Sequence, residues 1–221
     1  MDIIKYDVYR GPNLGVYITV NDSMVLIPMG FAQSKAEKLA EYLDVDYHYT
    51  SIANTRLIGI LSVMNNKGVL LPKTAYSNEY DFFKKETNLE VGVLDSKFTA
   101  LGNLICANDK GAVVSPWLSE DDCQTVKDVL GVKIVQKKIS GYNQVGSVMV
   151  ANNSGAAIHP EADEEDMKTF ANLLGVKIEQ SSINNGIPYV SSGILANNNS
   201  IVVGSLTTGP EIMMLTRAFL N

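Results

Sequence analysis

The chain has 221 residues, carries 24 Asp and Glu against 18 Lys and Arg for a formal charge of −6, and is 46% hydrophobic. That apolar share supports a real core. The acidic balance, with Lys84-Lys85 and Lys137-Lys138 as isolated basic pairs, argues against a protein that grips nucleic acid mainly through phosphates.

No apolar run approaches the ~18 residues that cross a bilayer, and Met1-Asp2-Ile3 starts no signal peptide, so a cytoplasmic protein is expected. Cys106 in an apolar strand and Cys123 in an amphipathic helix form no C-x-x-C pair. They read as reduced core thiols without a disulfide or metal role.

In chain order, Asp2 to Tyr9 is β-rich and reads as a strand. Asn13 to Pro28 reads as a hairpin with the turn Asn21-Asp22-Ser23, whose residues tolerate positive φ. Ser34 is placed to cap a helix over Lys35 to Leu43, with Glu37 at the capping-box position, and Val45 to Ile52 returns as a strand. The order repeats with hairpin Leu57 to Pro72, helix Asn78 to Glu86 and strand Glu90 to Leu94.

The third hairpin spans Thr99 to Pro116 around the turn Asn108-Asp109-Lys110-Gly111. A helix from Ser119 to Leu130 follows, with Asp122 completing the cap pattern, and then strand Val132 to Ile139. After hairpin Gln144 to Pro160, Glu161, Asp163, Glu164, Glu165 and Asp166 crowd a first helical turn, where the helix dipole favours carboxylates. This run reads as a solvated helix start in preference to an acidic docking site. Hairpin Gly193 to Gly204 is followed by Thr207-Thr208-Gly209-Pro210-Glu211, which opens a last helix to about Phe219.

The hairpin ends Pro28, Pro72, Pro116, Pro160 and Gly204 are spaced by 44 residues at every step. The opening glycines Gly15, Gly59, Gly102, Gly146 and Gly193 are spaced by 44, 43, 44 and 47. Such a period means a ring or stack of one supersecondary unit. The fold class expected is α/β, with repeats at about 10–53, 54–97, 98–140, 141–184 and 185–221 in a single domain.

The fifth unit lacks its closing strand. Val8 precedes Gly15 by the seven residues that separate Ile52 from Gly59 and Ile139 from Gly146. Strand 2–9 is therefore expected to supply it, closing a ring without exposed edges, where a linear solenoid would need polar caps.

The resemblance rests on Thr99-Ala100-Leu101-Gly102-Asn103, the Asn108-to-Gly111 turn, His159-Pro160, Leu57-Ile58-Gly59, Gly68 to Pro72 and Thr207 to Glu211. In their order along the chain, from about Ile3 to Leu220, they make it similar to the translation initiation factor 6 family. The arrangement resembles the pentein, or α/β-propeller, architecture. The resemblance implies a cytosolic factor that binds the joining face of the large ribosomal subunit and sterically blocks the small one, in initiation and subunit biogenesis. It implies contacts with ribosomal proteins near the sarcin-ricin loop, little direct RNA binding, no membrane, no catalysis, no cofactor and a monomer. The chain resembles archaeal members in ending right after its last helix, so regulation by the eukaryotic C-terminal tail is not carried over.

Two other classes stay open. Other penteins modify guanidino groups with a Cys near the C-terminus and a His base, but the fifth unit has no Cys. His48 and His159 are the only histidines, and His159 holds the place of Leu71 and Ser115, which suits a structural role. A generic protein-interaction ring is the other class. Its polar loops would be the Asn-rich turns at Asn65-Asn66, Asn152-Asn153 and Asn197 to Asn199, read here instead as turn residues chosen for φ.

In a ring, one rim gathers the loops that enter the hairpins: Asn13, Arg56, Thr99 with Asn103, Asn143 with Gln144, and Asn185 to Tyr189. Arg56 reads either as a partner contact or as a salt bridge to a neighbouring unit. Tyr189 beside Pro188 is an aromatic anchor candidate. Asn103 is polar where Val16, Ile60, Ser147 and Ile194 stand in the other units, either a partner contact or a hydrogen-bonded core Asn. The resemblance adds Thr207, Thr208 and Glu211 as a second candidate site.

Overall fold

The computed structural model describes residues 3–220; Met1, Asp2 and Asn221, and with Asp2 the first residue of the expected opening strand, lie outside the described residues. Among the described residues are five three-stranded sheets. The first joins β2 (Thr19–Val20), β3 (Met24–Pro28) and β4 (Asp46–Thr50), and the second β5 (Val63–Met64), β6 (Gly68–Pro72) and β7 (Glu90–Leu94). The third holds β8 (Ile105–Ala107), β9 (Gly111–Val114) and β10 (Lys133–Gln136), and the fourth β11 (Met149–Ala151), β12 (Gly155–Ile158) and β13 (Lys177–Gln180). In each the first two strands are antiparallel and the third runs parallel to the second.

The fifth sheet holds β14 (Ile194–Ala196), β15 (Ile201–Gly204) and β1 (Ile3–Tyr6). β1 runs parallel to β15, in register from Ile3 opposite Ile201 to Tyr6 opposite Gly204. The N-terminal segment thus supplies the strand that the fifth unit lacks.

The parallel connections pass through α2 (Gln33–Leu43), α4 (Ser77–Glu86), α6 (Glu120–Leu130) and α7 (Glu164–Leu174), with α8 (Gly209–Phe219) closing the chain. Each helix buries its apolar stripe between its own sheet and the one before it. Val126 and Leu130 of α6 pack with Val114 of the third sheet and Leu70 and Leu94 of the second. Phe83 of α4 packs with Leu71 and Met24, and Phe170 of α7 with Ile158 and Val113. The core is therefore spread over five wedges between sheets. A fully buried aromatic such as Phe83 contributes roughly 1.5–3 kcal/mol in its wedge.

Helix starts follow the sequence with one exception. Ser119 caps α6 by accepting from Asp122 N, and Asp122 answers by accepting from Ser119 N, as expected. Asp163 caps α7, and its acidic first turn is largely exposed. Ser34 does not cap α2: the helix begins at Gln33 with Ala32 as the residue before it, and Glu37 accepts from Gln33 instead. With no cap signal at Ala32, the nearest Ser was a misleading one.

The run opening each hairpin is not strand throughout. It begins with a single turn: α1 (Leu14–Tyr17), α3 (Ile58–Leu61), α5 (Leu101–Leu104), a non-helical turn over 145–147 in the fourth unit, and a 3-10 turn over Val190–Gly193 in the last. These turns pack on one another around the axis. A Cβ on Gly59 would lie 2.0 Å from the Gly15 carbonyl oxygen, on Gly102 2.0 Å from that of Gly59, and on Gly146 2.2 Å from that of Gly102. A Cβ on Gly15 would meet the Ser191 oxygen at 1.9 Å. The fifth member of this column is Ser191, which donates from both its amide and its hydroxyl to the Ser147 carbonyl, and not Gly193. The residue following each member is then Val16, Ile60, Asn103, Ser147 and Ser192, a mixed column and not the apolar one expected.

The Asn-rich turns also differ from their expected reason. No residue of these turns has positive φ; the non-glycine residues with positive φ lie at Tyr9-Arg10, Asp44, Ala53-Asn54, Ser140 and Asn184-Asn185. The first Asn of each turn acts as a bracket. Asn65 Oδ1 accepts from Lys67 N and Gly68 N within its turn, while Nδ2 donates to the Asn108 and Leu130 carbonyls of the next unit. The Nδ2 bonds run from Asn21 to Asn65, Asn108, Asn152 and Asn197, and Asn197 returns to Asn21. That circuit closes on itself.

Candidate functional site

Two openings lie along the axis that these circuits surround. At the turn end, a second circuit of side chains joins Asp22, Asn66, Asp109, Asn153 and Asn198, each oxygen accepting the backbone N–H of the unit before. Behind it lies a cavity of about 120 Å³, lined by the first strands of the five sheets.

At the other end the single-turn helices form the floor of a wide basin of about 560 Å³. Its floor is Gly15, Gly59, Gly102 and Ser191 with Val16, Ile60, Asn103, Ser147 and Ser192, and its lining includes no charged side chain. Asn13, Tyr189, Ile187 and Leu206 stand at its wall. Tyr189, Ile187 and Leu206 are exposed, Leu206 at 59%. The Tyr189 ring is held edge-on against Tyr142, 5.9 Å between centroids, and Tyr142 lies over His159 at 5.2 Å. One aromatic is thus fixed in place with much of its surface in water. Among the described residues the Asn103 and Asn13 side chains have no hydrogen-bond partner, so the core-Asn reading of Asn103 fails.

Of the ten expected site residues, Asn13, Asn103 and Tyr189 line the basin, while Arg56, Thr99, Asn143 and Gln144 do not. Among the described residues Arg56 makes no salt bridge; its guanidinium lies over the Tyr9 ring at 5.4 Å, and Tyr9 packs edge-on against Tyr17 and Phe31. Gln144 accepts from the Ser147 amide and hydroxyl through its backbone carbonyl.

Thr207, Thr208 and Glu211 belong to the frame. Thr207 is buried against Asn184, and Thr208 is the residue before α8. The buried Glu211 carboxylate accepts from Ser182 Oγ at 2.7 Å, Gly186 N at 2.8 Å, Asn185 N at 3.1 Å and Thr208 N at 2.7 Å. Burial pushes its carboxyl up, and these bonds outweigh that and bring it down to about 2. Glu79 does the same for the loop before it, binding Ser51 Oγ, Ala53 N, Asn54 N and Tyr76 N. Sequence reasoning missed Leu206 and Ser147, which only the folded ring brings beside Tyr189, and passed over Ser191 and Ser192, which follow Tyr189 closely in the chain.

Cys106, Cys123 and His159, the groups an enzyme would need, are buried. Burial pushes the Cys106 thiol up to about 12 and raises Cys123 as well. His159 is buried, is shifted down by desolvation, and accepts from Glu161 N through Nδ1. Among the described residues no three His, Cys, Asp or Glu side chains are grouped to hold a metal, and no helix is long and apolar enough to cross a membrane.

Among solved structures, C. jejuni agmatine deiminase aligns over 88% of this chain and 72% of its own at 14% identity and a TM-score of 0.41, too low to bear on activity. The protein relatives are much nearer. Translation initiation factor 6 of Nitrosopumilus maritimus is 82% identical over the full length of both chains. Those of Cenarchaeum symbiosum and Pyrococcus furiosus are 61% and 44% identical, each covering 99% of this chain and 99% and 98% of their own. A family model described as the eIF-6 family matches residues 3–218, and the chain belongs to that family.

Proposed function

We propose that this protein acts in translation initiation by binding the large ribosomal subunit and sterically preventing its association with the small one, with a role in subunit biogenesis. The observation that carries the reading is the full-length identity of 82% to a translation initiation factor 6. That family is non-enzymatic. The five closed units form a single pentein domain of five repeats, working as a cytoplasmic monomer without cofactor. The repeats are those delimited at about 10–53, 54–97, 98–140, 141–184 and 185–221, with strand 2–9 completing the last.

The basin is the contact face. Its uncharged lining with exposed Tyr189, Ile187 and Leu206 suits apolar side chains of ribosomal proteins, near the sarcin-ricin loop, better than RNA phosphates. Asn13 and Asn103 are amides available to that partner, and Arg56, Thr99, Asn143 and Gln144 form the outer rim. Thr207, Thr208 and Glu211 act on the contact by holding the wall that carries Ile187 and Tyr189.

Co-sedimentation with separated subunits tests the reading. The protein is expected to travel with large subunits alone and to lower the yield of joined ribosomes when small subunits are added. Migration at the top of the gradient at low salt overturns it. Tyr189→Ala is expected to weaken binding about tenfold, the effect of removing an interface anchor worth about 1.4 kcal/mol. Because Tyr189 is exposed, its thermal midpoint should stay near the wild type.

A further inference from the structure

Asn185-Gly186 is the only Asn-Gly step in the chain. Asn-Gly is the dipeptide in which a backbone nitrogen most readily attacks the preceding side chain, since glycine puts no Cβ in the way. Here both residues are exposed, and a Cβ on Gly186 would meet nothing within 4 Å. The Asn185 side-chain amide has no hydrogen-bond partner among the described residues, so nothing tethers it away from the Gly186 nitrogen. The turn asparagines are held differently: Asn153 Nδ2 is bound by Asp109 and Asn198 Nδ2 by Asp22.

One restraint stands against reaction. The attacking nitrogen must lose its proton, and the Gly186 N–H is donated to Glu211 Oε1 at 2.8 Å, beside a carboxylate that disfavours an amide anion. The same carboxylate holds Asn185 N, keeping Asn185 in the left-handed region at φ 68 and Gly186 at φ 96. Ser182 Oγ fixes the carboxylate in turn.

We propose that Asn185 is a site of spontaneous deamidation and isomerisation whose rate is governed by the Glu211 clasp. When the clasp opens, the Gly186 nitrogen gives up its proton and bonds to Asn185 Cγ. The Cγ bond to the side-chain nitrogen breaks, ammonia leaves with a proton, and a five-membered imide remains. Water then adds to either imide carbonyl and opens the ring, giving aspartate or isoaspartate at position 185. Net, an amide and water become a carboxylate and ammonium, with no oxidant or cofactor required. Isoaspartate lengthens the main chain by one methylene two residues before Ile187 and four before Tyr189, in the wall of the basin. The product also places a negative charge beside the buried Glu211 carboxylate. Modification therefore loosens the part of the basin wall that this clasp holds.

The test is chemical and does not depend on ribosome binding. The folded protein, its Glu211→Gln variant and a synthetic peptide spanning 181–190 are incubated in mildly alkaline buffer. Peptide mass mapping and an isoaspartate methyltransferase assay follow the reaction. In the folded wild type, position 185 is expected to deamidate ahead of every other asparagine, but several-fold more slowly than in the peptide. Glu211→Gln should move the folded rate toward that of the peptide. Ser182→Ala, which removes one support of the carboxylate, should move it the same way by less and serves if Glu211→Gln fails to fold. Another asparagine reacting first, a wild-type rate equal to that of the peptide, or rates unchanged in the folded variants would each overturn the proposal.

Discussion

Glu211 and Glu79 show how a single buried carboxylate can organise a loop in this protein. Each sits in the first turn of a helix and accepts backbone N–H groups from the loop that leaves the preceding unit. Because the folded carboxyl of Glu211 lies at about 2, below its ordinary value near 4.5, it contributes stability above pH 4.5. That contribution is lost as the pH falls from about 4.5 to about 2. Glu211→Gln is expected to lower stability at neutral pH by about 2–3 kcal/mol, the scale of charge-assisted hydrogen bonds. The variant should also flatten the acid limb of the unfolding curve, which chemical denaturation at several pH values would read. At Arg56 the effect is smaller. Its exposed position over Tyr9 makes Arg56→Ala worth about 0.5–1 kcal/mol of stability.

At the level of elements, capping separates a sequence signal that works from one that does not. Ser119 accepts from Asp122 N at the start of α6, so Ser119→Ala should cost about 1 kcal/mol and lower the melting temperature. Ser34 lies inside α2, and Ser34→Ala should leave the melting temperature unchanged or raise it slightly, since Ala is the better helix interior residue. Equal losses in the two variants would contradict this assignment. The same contrast governs the column of single-turn helices. Gly102→Ala would put a Cβ 2.0 Å from the Gly59 carbonyl, backbone that cannot swing aside, and is expected to cost about 3 kcal/mol or more. Ser191→Gly, at the one position of the column already built for a side chain, should cost about 1 kcal/mol, measured by the same denaturation curves.

Over the whole molecule, the five wedges are held in a circle by main-chain-like bonds from side chains. Each bracket asparagine satisfies its own turn through Oδ1 and reaches the neighbouring unit through Nδ2. Asn108→Ala would orphan two buried carbonyls and two turn N–H groups. It is expected to lower stability by about 3–5 kcal/mol and to lower the cooperativity of unfolding, because the break lies between units. Asn108→Asp should be no better, since a carboxylate cannot donate to the Asn152 and Leu174 carbonyls. A result near neutral would mean that the wedges alone hold the units together.

The period of 44, the five helices and the orphan N-terminal strand were all legible from the chain, because repeats, apolar stripes and Pro or Gly punctuation are local patterns. Tyr189, Asn13 and Asn103 were legible as rim residues for the same reason: ring symmetry places the loops before the hairpins at one end. Other features came only from closure of the ring. Ser191 takes the fifth column position although Gly193 looks like the match, because what matters there is the distance to the Ser147 and Gly15 backbones. The turn asparagines are chosen for bonds to residues some 44 positions away and not for their own φ. Leu206 enters the basin wall only when the last unit folds against the first. Local chemistry writes the repeated unit, and long-range packing between units decides what each copy of a position does.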